Sequence, residues 1–563
     1  MSVHSPVALS EALAGLGGQL RGVELRLEVP GVEEARRVRD ELVAQIDDYL
    51  LPRLRSMEAP LLMVVGGSTG AGKSTLVNSL VGAPVSPSGV LRPTTRSPVL
   101  VCHPDDLRWF EGDRILPGMS RTTGRAAGPG GLELAPTAGL PPGVALLDSP
   151  DIDSVVDANR VLARQLLAAA DAWLFVTTAA RYADAVPWEL LHAASERGTA
   201  LSLVLDRVPG EGAGEVSDHL RSMMREHGLP DTELLVVPET ALVDGRLPEP
   251  ALAPVRAWLD GLAADATGRA DLVRRTLTGA LESVPRRVGV VERALAEQET
   301  TAADLRADVD SAYRRALDEV EEALQSGSVL RGEVLARWHE VVGTGDLMRE
   351  LESRLSWLRD RVRSFVTGGP APEANLQAAV RSNVDAVVHA AADRAAERAA
   401  TEWRARPAGR DLLAGGTRLD AASAALLDRT RDEVREWQGD VFELVRAEAG
   451  GKRTTARFAS LGVNGAGLVV MLAVFAQTGG LTGAEVAVAG GTTAAGQRIL
   501  EALLGDQAVR TLAARAREML LERTRALLDG ESERFRALLA PAAPEPDAAA
   551  RLREAARSIQ AAR

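Results

Sequence analysis

The sequence predicts an α/β domain on a doubly wound, mostly parallel sheet, followed by a long all-α stalk or bundle that carries an apolar hairpin. Three observations lead there. Six short apolar runs between residues 61 and 237 alternate with helix-compatible segments, as strands joined by crossover helices do. Apolar residues between Leu277 and Ala323 keep a four-three rhythm, the mark of a long helix packed along partners. Residues 458–484 then carry no charge at all.

Composition fits this division. The 563 residues suffice for several domains, aromatics are only 3%, and the abundance of alanine, arginine, leucine and glutamate favours helix packing. A formal charge of −13 argues against a general nucleic-acid binder, which needs a basic face to neutralise phosphates. One cysteine, Cys102, excludes an internal disulfide and suits a reducing cytoplasm. The seven histidines show no metal-ligand spacing. The N-terminus lacks the basic start and compact apolar core of a signal peptide, so residues 1–57 read as a helical segment packing on the stalk, with a helix over 31–57.

The domain expected over residues 58–245 begins with Leu61–Val65, an unbroken apolar run suited to a strand buried on both faces. Gly67-Ser68-Thr69-Gly70-Ala71-Gly72-Lys73-Ser74 follows at once, with Thr75 opening helix-compatible sequence. This is the G-x-x-x-x-G-K-[ST] pattern in its strand–loop–helix setting, a phosphate-binding P-loop. Its glycines let successive N–H groups turn inward on phosphate oxygens, Lys73 should reach the β- and γ-phosphates, and Ser74 should ligate Mg²⁺. The chain has two lysines, Lys73 and Lys452, among 65 lysines and arginines, so a chance lysine here is improbable.

Further strands are expected at residues 98–102, 144–147, 173–177, 201–205 and 234–237, with helices near 159–170 and 188–197. Residues 117–143, rich in Gly, Pro and Thr, read as a loop or hairpin. The loop Leu91-Arg92-Pro93-Thr94-Thr95-Arg96 offers Thr95 as a switch hydroxyl that completes the Mg²⁺ shell; an ordinary Pro-Thr turn is the plainer alternative. Leu146-Leu147-Asp148-Ser149-Pro150-Asp151 ends a buried strand on Asp148, placed to hold Mg²⁺ in the Walker B role rather than merely to cap a helix.

With GSTGAGKST, RPTT, LLDSPD and the helical region on the page, the chain resembles the bacterial dynamin-like GTPases. The resemblance implies binding and hydrolysis of GTP with Mg²⁺, and nucleotide-dependent homo-oligomerisation through the nucleotide domain and stalk. It also implies remodelling of an anionic membrane surface, placing the protein in the cytoplasm, peripheral at the inner face of the cell membrane. It leaves room for a paralogous dynamin-like partner and implies no nucleic acid. Lys73, Ser74, Thr95 and Asp148 take the catalytic roles on this reading, and Ser74, Thr95 and Asp148 the metal.

Three departures stand against it. Asp151 occupies the place of the D-x-P-G glycine, whose N–H meets the γ-phosphate; its carboxylate either points away or repels a triphosphate. Ile152 follows, so no glutamine positions water, and Thr69 and Gly70 replace a polar pair. Asp206-Arg207-Val208-Pro209 stands where N-K-x-D reads guanine, so Asp206 either accepts from the base edge or caps its strand. Pro238-Glu239-Thr240 holds the fifth motif position without matching it. Two rival functions stay open: a nucleotide-binding scaffold with little hydrolysis at a membrane or division complex, and a divergent P-loop ATPase or small-molecule kinase.

The stalk is expected over residues 246–457, returning at 498–540, with a linker and C-terminal helix at 541–563. At about 1.5 Å per residue, the heptad stretch alone spans about 70 Å; only Gln298 and Glu319 interrupt its apolar face. Further helices are expected at 329–342, 346–367, 373–405 and 417–449, the third with an alanine-rich face suited to close helix approach. Residues 458–497, preceded by Lys452, Arg453 and Arg457, form two halves at or below the length that spans a bilayer, so a shallow membrane-tip hairpin competes with an apolar hairpin buried in protein.

Overall fold

The computed structural model describes residues 6–87, 97–124, 131–152, 157–196, 198–325, 372–416, 418–448 and 506–563. Thr95, the expected helices at 329–342 and 346–367, and the apolar stretch 458–497 lie outside them. The chain divides into two compact units, the first of residues 1–25, 30–297 and 544–563, the second of 26–29 and 298–543.

The first unit holds a sheet of eight strands among the described residues: β1 (Leu61–Gly67), β2 (Val99–Cys102), β3 (Ser120–Thr123), β4 (Gly131–Pro136), β5 (Val144–Asp148), β6 (Ala172–Thr178), β7 (Ala200–Val208) and β8 (Glu233–Pro238). Their order is β3-β4-β2-β5-β1-β6-β7-β8. The run from β5 to β8 is parallel throughout. β2 pairs antiparallel with β5 and parallel with β4, so the three strands on that side run opposite to the rest.

All six expected strands are present. Their two-residue period sorts their side chains onto two cores: Leu62, Val64, Leu147, Trp173 and Phe175 join one, and Leu61, Met63, Val65, Leu146 and Leu174 the other. Helices cover both. α4 (Lys73–Val81) and α8 (Glu249–Ala264) lie on the second core; α5 (Asp157–Ala168), α6 (Ala185–Glu196) and α7 (Ala213–Glu226) lie on the first. Residues 117–143 differ from expectation. They hold β3 and β4, which pair parallel and therefore form no hairpin. Only Leu132 and Leu134 in these strands are buried apolar residues, so the sequence offers almost no apolar run to read.

Helices α1 (Pro6–Gly22), α2 (Val32–Gln45) and α3 (Leu51–Arg55), the last two joined by a π-helical turn at Ile46–Leu50, also belong to the first unit. Arg53 of α3 forms a buried ion pair with Asp171 at 2.7 Å, whose carboxylate also accepts from the Leu62 amide at 2.8 Å. This ties α3 to the N-terminal ends of β1 and β6. α14 (Ala548–Ala562) returns from the far end of the chain to pack on α1.

The heptad rhythm becomes α9 (Ala266–Gln325), 60 residues long. Its second half joins α10 (Pro372–Ala405), α11 (Pro407–Ala414), α12 (Leu426–Glu448) and α13 (Asp506–Leu539) in the second unit. Gln298, buried on α9, donates to the Leu27 carbonyl at 2.6 Å, and Glu319 is held by Arg394 and Arg398 of α10. Both interruptions of the apolar face thus have polar partners. Among the described residues no helix is long and apolar enough to cross a membrane.

Candidate functional site

The site forms where the chain reverses direction across the sheet. β1 lies between β5 and β6, and the crevice at their C-terminal ends is the topological switch point, the place where open α/β sheets bind ligands. The parallel register sets Val65 opposite Asp148 and Gly67 opposite Val176, so the P-loop leaves β1 beside both neighbours.

Gly67 sits at φ 151°, and a Cβ there would lie 2.1 Å from the Val176 carbonyl oxygen. Gly72, the N-cap of α4, has φ 96°, and its Cβ would lie 2.6 Å from Asp206 Oδ2. Glycine is required at both by crowding and backbone conformation together.

Lys73 is 4% exposed. Its Nζ donates to the Gly67 carbonyl at 2.8 Å, the Ser68 carbonyl at 3.0 Å and Asp151 Oδ1 at 2.5 Å. Beside it, Ser74 Oγ donates to Asp148 Oδ2 at 2.6 Å, and Ser86 Oγ reaches the same oxygen at 2.5 Å. Ser86 is held in turn by Asn78, which accepts its amide at 2.8 Å and donates to its carbonyl at 2.7 Å. Asp148 is fully buried, and its Oδ1 has no hydrogen-bond partner among the described residues. Burial pushes its carboxyl above the usual range, against hydrogen bonds from Ser74 and Ser86 and the charge of Lys73 that draw it down. A hard oxygen set with one buried carboxylate oxygen unused suits a small divalent cation such as Mg²⁺.

The structure brings most of the sequence-picked residues together: Gly67 to Thr75 form the loop and helix start, Asp148 meets Ser74, and Asp206 faces Gly72. Asp206 Oδ1 accepts from the Arg207 amide at 2.9 Å, and burial raises its carboxyl pKa. Arg207, at φ 54°, donates through Nη2 to the Gly70 carbonyl.

Three participants escaped the sequence reading. Arg181 donates to the Thr69 carbonyl at 2.8 Å while pairing with Asp184 at 2.9 Å. It lies just beyond the C-terminal end of β6, in the crevice where open α/β sheets bind ligands. Ser86 and Asn78 had no signal, since a serine and an asparagine lie on many surfaces.

Residues 63–122 match the model of the Dynamin family. Over those residues the chain is similar to the Dynamin family. No curated protein matches it. Among solved structures, one from an oligomerised bacterial dynamin pair, described as a mechanism for long-range sensing and tethering of membranes, is 10% identical. It covers 93% of this dynamin-like chain and 95% of its own, with a TM-score of 0.43. Toc33 from Arabidopsis thaliana, in complex with Mg²⁺ and GMPPNP, is 15% identical over 42% of this chain and 92% of its own, at a TM-score of 0.24. Similarity at this level is too coarse to carry function, which rests on the site.

Proposed function

We propose that this dynamin-like chain binds GTP with Mg²⁺, hydrolyses it, and couples the cycle to self-assembly and membrane remodelling. The observation that carries the proposal is the meeting of Lys73, Ser74 and Asp148 at the switch point, with the hydroxyl on the carboxylate and the ammonium over the loop. Ser74 and Asp148 would hold the cation, with Thr95 as a further ligand. The cation supplies neutralisation of charge on the β- and γ-phosphates.

The chain's own residues do the rest. P-loop amides and Lys73 bind and neutralise the phosphates. Asp148 orients the Ser74 hydroxyl. Arg207 steadies the loop through the Gly70 carbonyl and leaves Asp206 beside Gly72, at the edge assigned to the base. Self-association through the nucleotide domain and the helical unit, with a paralogous partner as a variant of it, completes the proposal. Contact with an anionic inner membrane face falls to residues 458–497 and their flanking Lys452, Arg453 and Arg457.

Mg²⁺-dependent binding of fluorescent GTP and ATP to the purified chain tests the site. Selective GTP binding that Lys73→Ala abolishes supports it; unchanged affinity in that variant removes the assignment. Liposome flotation tests the membrane role: deletion of residues 458–497 should abolish it, and equal flotation without them defeats it. A second reading, a nucleotide-binding scaffold with little turnover, is favoured by the Asp151 carboxylate on Lys73. A phosphate-release assay on the intact chain separates the two.

A further inference from the structure

The lysine of this P-loop is already fully engaged. An ammonium group has three donors, and those of Lys73 reach the carbonyls of Gly67 and Ser68 and the carboxylate of Asp151. The ion pair is short, at 2.5 Å, and well shielded, with side-chain exposures of 4% for Lys73 and 16% for Asp151. Shielding strengthens it relative to a surface pair.

The segment that carries Asp151 is held to the loop as well. The Ser149 amide donates to the Val65 carbonyl at 3.3 Å, and Ser149 Oγ reaches the same oxygen at 2.9 Å. The Ile152 amide faces the Gly67 carbonyl at 3.5 Å. Asp151 is thus fastened on both sides, with its carboxylate presented to Lys73, the ammonium that the phosphates would engage.

We propose that Asp151 stands in for the terminal phosphate and sets the choice between nucleoside diphosphate and triphosphate. This rests on the nucleotide site proposed above. A diphosphate replaces the two carbonyls on Lys73 and leaves the Asp151 pair in place. A triphosphate brings a second anion to the same ammonium and binds only as Asp151 is expelled. The carboxylate therefore weighs selectively against the triphosphate, and its release couples the terminal phosphate to movement of the turn after β5. A structural salt bridge kept in every state would show no such selectivity.

Titration calorimetry with GDP and with GTP, both with Mg²⁺, decides between them on the full chain. Asp151→Asn keeps the shape and removes the charge. It should tighten GTP on the order of tenfold or more while GDP stays within about twofold. Asp151→Gly should do the same, and Asp151→Glu, which keeps the charge, should retain the wild-type ratio. If one variant loses its cooperative melt, the other two still carry the comparison. Equal tightening of both nucleotides, or no change in either, overturns the proposal while the nucleotide site stands, provided Lys73→Ala still abolishes binding. A folded wild-type chain that binds neither nucleotide overturns the site itself and this inference with it.

Discussion

Gly67 shows how tightly the phosphate loop is built at the scale of single residues. A methyl group there meets the Val176 carbonyl at 2.1 Å on a backbone at φ 151°. Gly67→Ala should cost about 2–4 kcal/mol through overpacking and backbone strain combined, read as a lowered melting temperature. Cys102 gives a second prediction. Burial first, then the charges of Asp106 and Glu111, push its thiol up to about 12. It should resist alkylation near neutral pH in the folded chain and react once denaturant exposes it. The glycines, Lys73, Ser74 and Asp148 were legible because their chemistry requires those residue types at that spacing. Asp151 was legible only as an anomaly. That its carboxylate turns onto Lys73, 78 residues away in the chain, depends on β1 and β5 being neighbours.

At the scale of elements, the α9 heptad was readable because burial on one helix face leaves a periodic trace. Its predicted face is buried from Leu277 through Ala316. The alanine face of α10 is equally plain: Ala391, Ala392, Ala395, Ala396, Ala399 and Ala400 are completely buried. Ala396→Leu should overpack this face and cost about 1–3 kcal/mol, measurable as a lower denaturant midpoint. On α13, Glu531 is buried, accepts from the Ser423 amide at 2.8 Å and hydroxyl at 2.6 Å, and pairs with Arg534 at 2.9 Å. Burial pushes its pKa up, but the Ser423 hydrogen bonds and Arg534 outweigh it, and the folded value lies below the ordinary 4.5. A depressed carboxylate stabilises the fold above its unfolded pKa and loses that contribution as pH falls through the folded one. Unfolding measured at pH 7 and below 4.5 should therefore show an acid-labile increment that Glu531→Gln lacks. β3 and β4 left no comparable trace, since β3, Ser120-Arg121-Thr122-Thr123, has neither an apolar nor a buried residue.

At the scale of the whole molecule, stability rests on pairings between distant parts of the chain. Arg53 and Asp171 are 118 residues apart, and both are nearly inaccessible to solvent. Arg53→Ala leaves a buried carboxylate uncompensated and should destabilise the first unit by about 3–5 kcal/mol in denaturant unfolding. α14 buries Leu552 and Ile559 in the same unit as α1, whose Leu9, Leu13, Leu16 and Leu20 are wholly covered. Removing residues 544–563 should expose that face and lower the first unit's melting transition. The grouping of both chain ends with the nucleotide domain has no signature in the sequence. Each end is simply amphipathic, and amphipathicity names a face without naming its partner.

The sequence by itself determined what is local: a P-loop after a buried strand, six of the eight strands among the described residues, the heptad face of the long helix and the alanine face. Each leaves its record in spacing, because burial on a strand or helix repeats every two or 3.6 residues and phosphate chemistry fixes residue type. Only the tertiary structure decided the reversed direction of β2, the covering of α1 by α14, and the carboxylate that occupies the phosphate-binding lysine. These depend on which faces meet and in what order the strands stand, and many partners satisfy the same local pattern.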